Sequence, residues 1–338
     1  MYLAPLNYDR FFKKIFSDTK IAKQFLEDFF EFTIEEIEAL PLSHKLTNEA
    51  NLIHFDYRCK VDGEYIIIDM QQWYKHDVVK RFYLYHAANS VLQLEDLPLK
   101  QIGKEKQVKD YSGVLPVKTL IWLVDDALDF TKDYSIYTML PEEVGDFLTD
   151  TALWSTTNEK QLRTKRKELL KVLENDTKNL LFLKKNQLIF AFQKNIVKNL
   201  NEAFAANQSQ KPYMRWFEFA AKTRNKDNKP SDFKKFQSDA IFEEIMRKLN
   251  HASLNPVEKD YMHYFEELEG IAEVKWKEGR KEGVEIGVEM GVEIGVEQEK
   301  RANILAAIQQ GILSEQQISA LFQVSLEFVK EVKRNLSN

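Results

Sequence analysis

Cysteine, glycine and long apolar runs are all scarce in this 338-residue sequence, and the shortages of cysteine and of apolar runs each exclude a class of protein. The single cysteine, Cys59, excludes an internal disulfide scaffold and a zinc site built from cysteine. No run of about 18 apolar residues occurs, so no membrane-spanning helix is expected. The first residues lack the apolar stretch behind a basic start that marks a signal peptide. A cytoplasmic protein is therefore predicted.

Positive charge is not in excess either. The 48 Lys and Arg residues stand against 53 Asp and Glu residues, which gives a net charge of −5. This balance excludes a globally basic surface for nucleic acid but leaves room for a local basic patch. The 44% hydrophobic content is enough for a packed core.

The first half of the chain is predicted to contain a sheet and the second half to be helical. Periodicity predicts helices over 9–32 and 77–95, and strands over 54–61, 64–71, 117–124 and 135–140. The predicted fold class is α/β (α+β), with a mixed sheet flanked by helices. The predicted domains are a core over 1–155, a helical domain over 156–269, a glycine-rich helical stalk over 270–300 and a small terminal helical module over 301–338.

Two strands joined by Asp62-Gly63 form a predicted hairpin, because this dipeptide favours a two-residue turn. Counting outward from the turn pairs Val61 with Glu64 and places Asp56 opposite Asp69. Alternation divides the side chains between two faces. The predicted core face holds Phe55, Tyr57, Cys59, Ile66, Ile68 and Met70. The other face holds His54, Asp56, Arg58, Lys60, Ile67, Asp69 and Gln71.

Asp56 and Asp69 would then carry like charges at facing positions, which destabilises a sheet. A divalent cation such as Mg²⁺ or Mn²⁺ would explain the pair, because hard ions bind carboxylate and water oxygens. Gln71 shares the predicted face and could orient a water or a phosphate oxygen. The alternative from the residues alone is a solvated sheet face on which Arg58 and Lys60 balance the two carboxylates.

Four segments resemble, in order and spacing, the PD-(D/E)XK nuclease family transposases, also called recombination-promoting nucleases. Residues 9–16 (DRFFKKIF) are similar to the family's opening helix. Residues 56–63 (DYRCKVDG) with 67–71 (IIDMQ) are similar to its hairpin. Residues 115–124 resemble its following strand, and the helix between resembles the family's through Arg81, Tyr83, Tyr85 and Gln93.

The resemblance implies a restriction-endonuclease-like core that cleaves DNA with Mg²⁺. It makes Asp56 the metal-binding aspartate and Asp69 a second metal ligand, one methylene shorter than the family's usual glutamate. Gln71 stands where the wider superfamily has lysine. Asp9 would be an accessory acidic group of the site, although its position fits a helix N-cap equally well.

Two basic segments are candidates for phosphate contacts. The first, over 159–171, carries Lys160, Arg163, Lys165, Arg166 and Lys167. Glutamates interleave with these residues, so a solvated helix face is the alternative. In the terminal module, a capping box at Ser314 opens the first of two short helices that resemble a helix-turn-helix. Its last helix offers Lys330, Lys333 and Arg334 to DNA, and a capping or oligomerisation module is the alternative.

Five of the 11 glycines recur at every fourth position from Gly279 to Gly295. On a helix they form one slowly winding stripe, which lets two helices approach closely. The segment 279–295 is therefore predicted to pair two copies of the chain, and a low-complexity spacer is the alternative.

Three functions follow as hypotheses. The first is a Mg²⁺-dependent DNA endonuclease that hydrolyses phosphodiester bonds, linked to recombination or mobile elements. The second is a catalytically weak relative that acts as a DNA-binding or oligomeric assembly module. The third is a nuclease that acts on RNA.

Overall fold

The computed structural model describes residues 1–45, 53–73, 77–102, 106–125, 130–155, 158–173, 181–206, 209–310 and 313–334. The side chains at 102, 106, 273, 276, 277, 280–298 and 310 lie outside that description. The chain divides into two compact units, Met1–Met262 and His263–Asn338. Of the helices within the described ranges, none is both long and apolar enough to span a membrane.

The first unit alternates helices and strands along the chain. Its strands are β1 (Ile37–Ala39), β2 (Ser43–His44), β3 (Ile53–His54), β4 (Tyr57–Val61), β5 (Glu64–Trp73), β6 (Leu99–Ile102), β7 (Lys106–Lys109), β8 (Val117–Asp125), β9 (Tyr134–Thr138) and β10 (Gln187–Phe192). Its helices are α1 (Asp9–Phe16), α2 (Thr19–Phe30), α3 (Val78–Asp96), α4 (Glu142–Thr149), α5 (Thr151–Trp154), α6 (Glu159–Leu173), α7 (Leu181–Lys185), α8 (Gln193–Ala205), α9 (Met214–Thr223) and α10 (Ala240–Leu249). Helix α11 (Pro256–Gln310) begins in this unit, and α12 (Glu315–Leu321) and α13 (Leu326–Arg334) lie in the second.

Six strands form the main sheet in the order β1-β4-β5-β8-β10-β9. The pairs β1–β4, β4–β5 and β10–β9 are antiparallel, whereas β5–β8 and β8–β10 are parallel. Strands β5 and β8 are buried along nearly their whole length, as expected from the apolar runs at residues 66–68 and 120–124 within them. The prediction of a mixed α/β sheet flanked by helices is therefore confirmed.

The prediction of a purely helical segment over 156–269 is wrong at Gln187–Phe192. This stretch, QLIFAF, forms β10 and inserts between β8 and β9. A short apolar run has no periodicity that separates a buried strand from a buried helix. Because β10 completes the sheet, the predicted domain border at residue 155 does not separate two compact units.

Helices cover both faces of the sheet with aromatic and aliphatic side chains. On one face Trp122 packs against Phe12 of α1, Phe25 of α2 and Phe217 of α9, with ring centroids 5.8, 5.6 and 4.1 Å away. On the other face α3 buries a cluster formed with the central strands by Val78, Phe82, Ile121, Leu123, Phe190 and Phe192. The inner side of α3 is thus fixed against the sheet.

The predicted first helix over 9–32 is two helices. The chain leaves α1 at Ser17, and Asp18 then caps α2 by accepting a hydrogen bond from the Lys20 amide at 3.0 Å. The break lets Phe16 of α1 meet Phe25 of α2 with ring centroids 5.2 Å apart. An N-capping aspartate inside a continuous apolar pattern was the signal for this break.

The second unit contains a small helical core of its own. Ile304 of α11, Ile318 of α12, and Val329 and Val332 of α13 are buried together. Ser314 and Gln317 form the predicted capping box, with reciprocal hydrogen bonds of 3.3 and 2.8 Å. The backbone of α11 is helical through the predicted stalk, whereas most side chains of the 279–295 stripe lie outside the described residues.

Candidate metal site on the β4–β5 hairpin

The turn end of the hairpin follows the sequence prediction. Every predicted pair from Val61–Glu64 to Tyr57–Ile68 is present in the β4–β5 ladder. Asp62 and Gly63 both have positive φ, at 42° and 83°, as a two-residue turn of type I′ requires. The Asp62 carboxylate accepts hydrogen bonds from the amides of Glu35 and Glu36 at 3.0 and 2.9 Å.

The other end of the hairpin joins Asp56 and Asp69 by side-chain hydrogen bonds instead of strand pairing. The Asp56 amide donates to Asp69 Oδ1 at 3.2 Å, and the Met70 amide donates to Asp56 Oδ2 at 2.8 Å. The ladder stops at Tyr57, so the Asp69 carboxylate accepts from the Asp56 amide itself and the Asp56 carboxylate accepts from the amide that follows Asp69. The predicted proximity of the two carboxylates is therefore confirmed, by a geometry that differs from the prediction.

Counting outward from the turn also predicts the pairs Phe55–Met70 and His54–Gln71, and neither forms because the chain bends at Asp56. His54 pairs with Ser43 of β2 instead. Phe55 packs with Ile67, Leu92 and the face of the sheet that α3 covers, not with the cluster on the opposite face. Since a strand face is defined only where the pleat continues, alternation could not place residues on the far side of the bend.

The alternative of a solvated sheet face is wrong, because helix α3 covers this face and Asn89 of α3 contacts Arg58. Asp56 is only 8% exposed to solvent and Asp69 only 4%. Arg58 is buried as well, and it contacts Asn89 and the His44 Nε2 atom rather than either carboxylate. The charge balance of the two aspartates must therefore come from elsewhere.

Burial dominates the electrostatics of the two carboxyl groups. Desolvation raises the pKa of Asp56 from its usual 3.8 to about 6, against the opposing effect of Lys13. Desolvation and then the neighbouring Asp56 raise the pKa of Asp69 well above its usual value. Two buried acids that cannot both ionise freely are typical of sites that bind a cation or a proton.

Helix α1 brings a third acid and a lysine to this pair. The Lys13 Nζ atom lies 2.8 Å from Asp9 Oδ1 and 3.2 Å from Asp56 Oδ1. Burial alone would lower the pKa of Lys13, but the charges of Asp56 and Asp9 outweigh it and raise that pKa. Asp9 thus lies beside the pair, as the family resemblance implied, and the N-cap of α1 is Tyr8 and not Asp9. Lys13 is not among the predicted site residues, although its spacing of four residues from Asp9 on a helix indicates an ion pair between them.

Gln71 is held in place by a second helix. Arg81 of α3 donates through Nη2 to Gln71 Oε1, and Gln71 Nε2 donates to the Trp73 carbonyl at 2.5 Å. The amide therefore has one N–H bond left for another acceptor. Arg81 also contributes an electrostatic effect that lowers the pKa of Asp69, although burial outweighs it.

The carboxylate oxygens of Asp56 and Asp69 suit a metal ion that takes few ligands from the protein. Asp69 Oδ2 is buried and has no hydrogen-bond partner within the described part of the chain. Those same residues hold no group of three or more His, Cys, Asp or Glu side chains placed to bind a metal together. Mg²⁺ usually keeps several waters and takes one or two carboxylates plus substrate oxygens, so Asp56 and Asp69 fit it.

The predicted basic residues lie on the helices α6 and α13, and each carries exposed positions. Lys160, Arg163, Lys165, Arg166 and Lys167 line α6, where Glu159 pairs with Arg163 at 3.1 Å and Glu168 with Lys165 at 3.6 Å. On α13, Lys333 pairs with Glu315 at 2.7 Å, and Lys330 and Arg334 are exposed beside it. The ion pairs on α6 fit its alternative of a solvated helix face, and the packing of α12 and α13 on the end of α11 fits the alternative of a capping module.

Comparison of this chain with protein-family models, with curated proteins and with solved structures finds no match.

Proposed function

We propose that this protein is a metal-dependent DNA endonuclease with its site on the β4–β5 hairpin. The observation that carries the proposal is the buried contact between Asp56 and Asp69, with Asp69 Oδ2 left without a partner among the described residues. Folding gives no reason to bury two adjacent carboxyl groups, because each loses its hydration. The mixed sheet with its antiparallel hairpin and parallel neighbour supports a restriction-endonuclease-like core, to which the sequence motifs also point.

Asp56 and Asp69 would hold one Mg²⁺ or Mn²⁺ ion. When bound, such an ion supplies a water of lowered pKa and stabilises negative charge on a phosphate. The protein contributes the position of the two carboxylates, which the amides of Asp56 and Met70 fix. Burial keeps the site in a medium where these charges act more strongly than in water.

Lys13 and Gln71 are suited to bind the phosphate beside that ion. The Lys13 ammonium lies against Asp56 and comes from a different element, so it can move toward a phosphate oxygen without disturbing the hairpin. The remaining N–H of Gln71 can donate to a second oxygen because Arg81 and the Trp73 carbonyl fix the amide plane. In this arrangement Lys13 supplies the positive charge that the wider superfamily takes from the lysine at the Gln71 position.

The test of the function is cleavage of supercoiled plasmid by the full chain with Mg²⁺, Mn²⁺ or EDTA. We expect nicking that requires the metal and that Asp56→Ala and Asp69→Ala reduce by roughly 1000-fold or more, since metal stabilisation is worth several kcal/mol. Asp62→Asn is the matched control, because Asp62 lies on the same hairpin at its opposite end. Nicking that survives both alanine substitutions would rule out this site.

The role of Lys13 is tested separately with its neighbour as control. Lys13→Gln should lower single-turnover cleavage roughly 100-fold, the loss of one charged transition-state contact. Lys14→Gln should leave cleavage unchanged, because Lys14 pairs with Glu258 at 2.7 Å. Lys13→Arg should recover part of the rate. Equal rates for Lys13→Gln and wild type would remove Lys13 from the site but leave the metal ligands in place.

A DNA-binding or assembly protein without cleavage is the second candidate function. It is favoured by the Lys13–Asp56 contact, which already neutralises one carboxylate. DNA retention without nicking under any divalent metal would support it, and an RNA substrate in the same assay tests the third hypothesis. Pairing of two copies through the 279–295 helix remains our proposal for assembly, supported by the continuous α11 backbone. DNA affinity should fall steeply with salt, because contacts would depend on local basic groups.

A further inference from the structure

Helix α3 has an apolar outer face that nothing in the described part of the chain covers. Its inner side packs on the sheet, yet Tyr83, Leu84 and Val91 on the outer side are 60%, 63% and 52% exposed, and Leu94 is 38% exposed. A contiguous exposed apolar face of this kind marks an interaction surface, whereas scattered single residues do not. The surface belongs to the helix that holds Gln71 through Arg81, but it faces away from that site.

The spacing of this face is that of a helix-pairing seam. Leu84, Ala87, Val91 and Leu94 follow each other at intervals of three, four and three residues, the pattern that lets two helices pack along their length. Ala87, in the middle, is small enough for the two backbones to approach closely. At 19 residues, α3 is about 28 Å long, so the seam extends over most of the helix.

The charges at the two ends of α3 decide the orientation of the partner. Lys80 is exposed near the first turn, and Glu95 and Asp96 are exposed in the last turn. A second α3 in parallel orientation would place like charges together at both ends. An antiparallel copy, related by a two-fold axis near Ala87, places Lys80 of each chain beside Glu95 of the other and Leu84 beside Val91. Such a self-complementary patch is what a two-fold dimer requires.

We propose that α3 is a dimer interface, on which α3 of a second copy of this chain packs in antiparallel orientation about an axis at Ala87. The interface depends neither on the proposed nuclease activity nor on pairing through the 279–295 helix. It explains why a helix with a fully packed inner side also carries leucine, valine and tyrosine on its outer side. The partner is a second copy because the charges at the two ends of the patch are complementary to one another in the antiparallel orientation.

Disulfide trapping in the full chain tests the two-fold axis directly. Cys59 is buried, so Ala87→Cys supplies the accessible thiol. Two such thiols at the crossing point of close-packed helices are within bonding range. After mild oxidation with copper phenanthroline we expect most of the protein as a covalent dimer on a non-reducing gel. Glu143→Cys, on exposed α4, is the control and should remain monomeric. Equal yields from the two variants would overturn the proposal.

Charge reversal tests the antiparallel orientation. In the Ala87→Cys chain, Lys80→Glu or Glu95→Lys alone should lower the yield of cross-linked dimer roughly tenfold, and the two together should restore it, because opposed like charges are costly. Leu84→Glu should abolish the cross-link even if the 279–295 helix keeps the mass dimeric in sedimentation. A double reversal that lowers the yield further, or a Leu84→Glu variant that still cross-links, would contradict the interface. Thermal melts matched to the parent chain confirm that each variant folds.

Discussion

The two ends of the β4–β5 hairpin carry the same residue type in opposite electrostatic states. At the turn, Asp62 is exposed, and hydrogen bonds from the amides of Glu36 and Glu35 lower its pKa. At the other end, burial raises the pKa of Asp56 and of Asp69. At the turn, the ionised Asp62 therefore stabilises the folded protein. At the other end, ionisation of Asp56 and Asp69 destabilises it, as is typical of acids in binding sites.

The largest expected effect is the pH dependence of the unfolding free energy that results from the burial of Asp56. The pKa of Asp56 is about 6 in the folded protein and 3.8 when unfolded, so folding takes up a proton between these values. Stability from the protonated acid is present below pH 4 and is lost as the pH rises through 6. Without metal, the unfolding free energy of the wild type relative to Asp56→Asn should fall by roughly 3 kcal/mol between pH 4 and 7. Urea denaturation in EDTA measures the difference, and a flat or rising difference would contradict the burial of Asp56.

The second effect is stabilisation by divalent metal at pH 7.5. An ion that binds only the folded site should raise the unfolding free energy by about 2.7 kcal/mol at 100 times its Kd. Thermal melts in Mg²⁺ and in Mn²⁺ measure it without relying on cleavage. Asp56→Asn and Asp69→Asn should abolish the shift, whereas Asp62→Asn should retain it. A shift that persists in both site variants would place the ion elsewhere.

The third effect concerns the turn. Gly63→Ala should destabilise the protein by roughly 1–2 kcal/mol, because the residue has a φ of +83° and alanine is strained there. Apart from the two chain neighbours, no atom of the described residues lies within 4 Å of the added Cβ, so the loss reports backbone strain alone. Gly145→Ala is the matched control, since its Cβ also meets open space but its backbone is helical. Urea denaturation should show Gly145→Ala unchanged or stabilised, and the same loss in both would contradict the turn geometry.

The smallest effect is the opposite pH dependence at Asp62. Folding lowers the pKa of Asp62. The stability that the ionised Asp62 contributes is therefore present above pH 4 and is lost as the pH falls through the folded pKa. Asp62→Ala should therefore destabilise the protein at pH 7 and have little effect at pH 2–3. The sign is opposite to that expected for Asp56→Asn, and urea denaturation at both pH values compares them. The same sign for both variants would remove the contrast between the hairpin ends.

Elements of the fold that depend on residues close in sequence could be predicted, whereas elements that depend on distant contacts could not. The Asp62-Gly63 turn, the β4–β5 register, helix α3 and the capping box at Ser314 depend on neighbouring residues, and each was predicted correctly. Strand β10 was missed because its short apolar sequence fits a buried helix as well as a buried strand. The break between α1 and α2 was missed because Asp18 lies within a continuous apolar pattern.

The sequence by itself determined that Asp56 and Asp69 lie close together, since a two-residue turn and strand pairing leave little freedom in register. Strand alternation also placed Gln71 on the same face as Asp69, whereas Asp9 was expected at the site only through the family resemblance. Only the tertiary structure decided that α3 buries the carboxylates and that α1 supplies Lys13, because both depend on contacts between elements far apart in the chain. A hairpin fixes proximity through local geometry, whereas burial and charge balance depend on the elements that pack upon it.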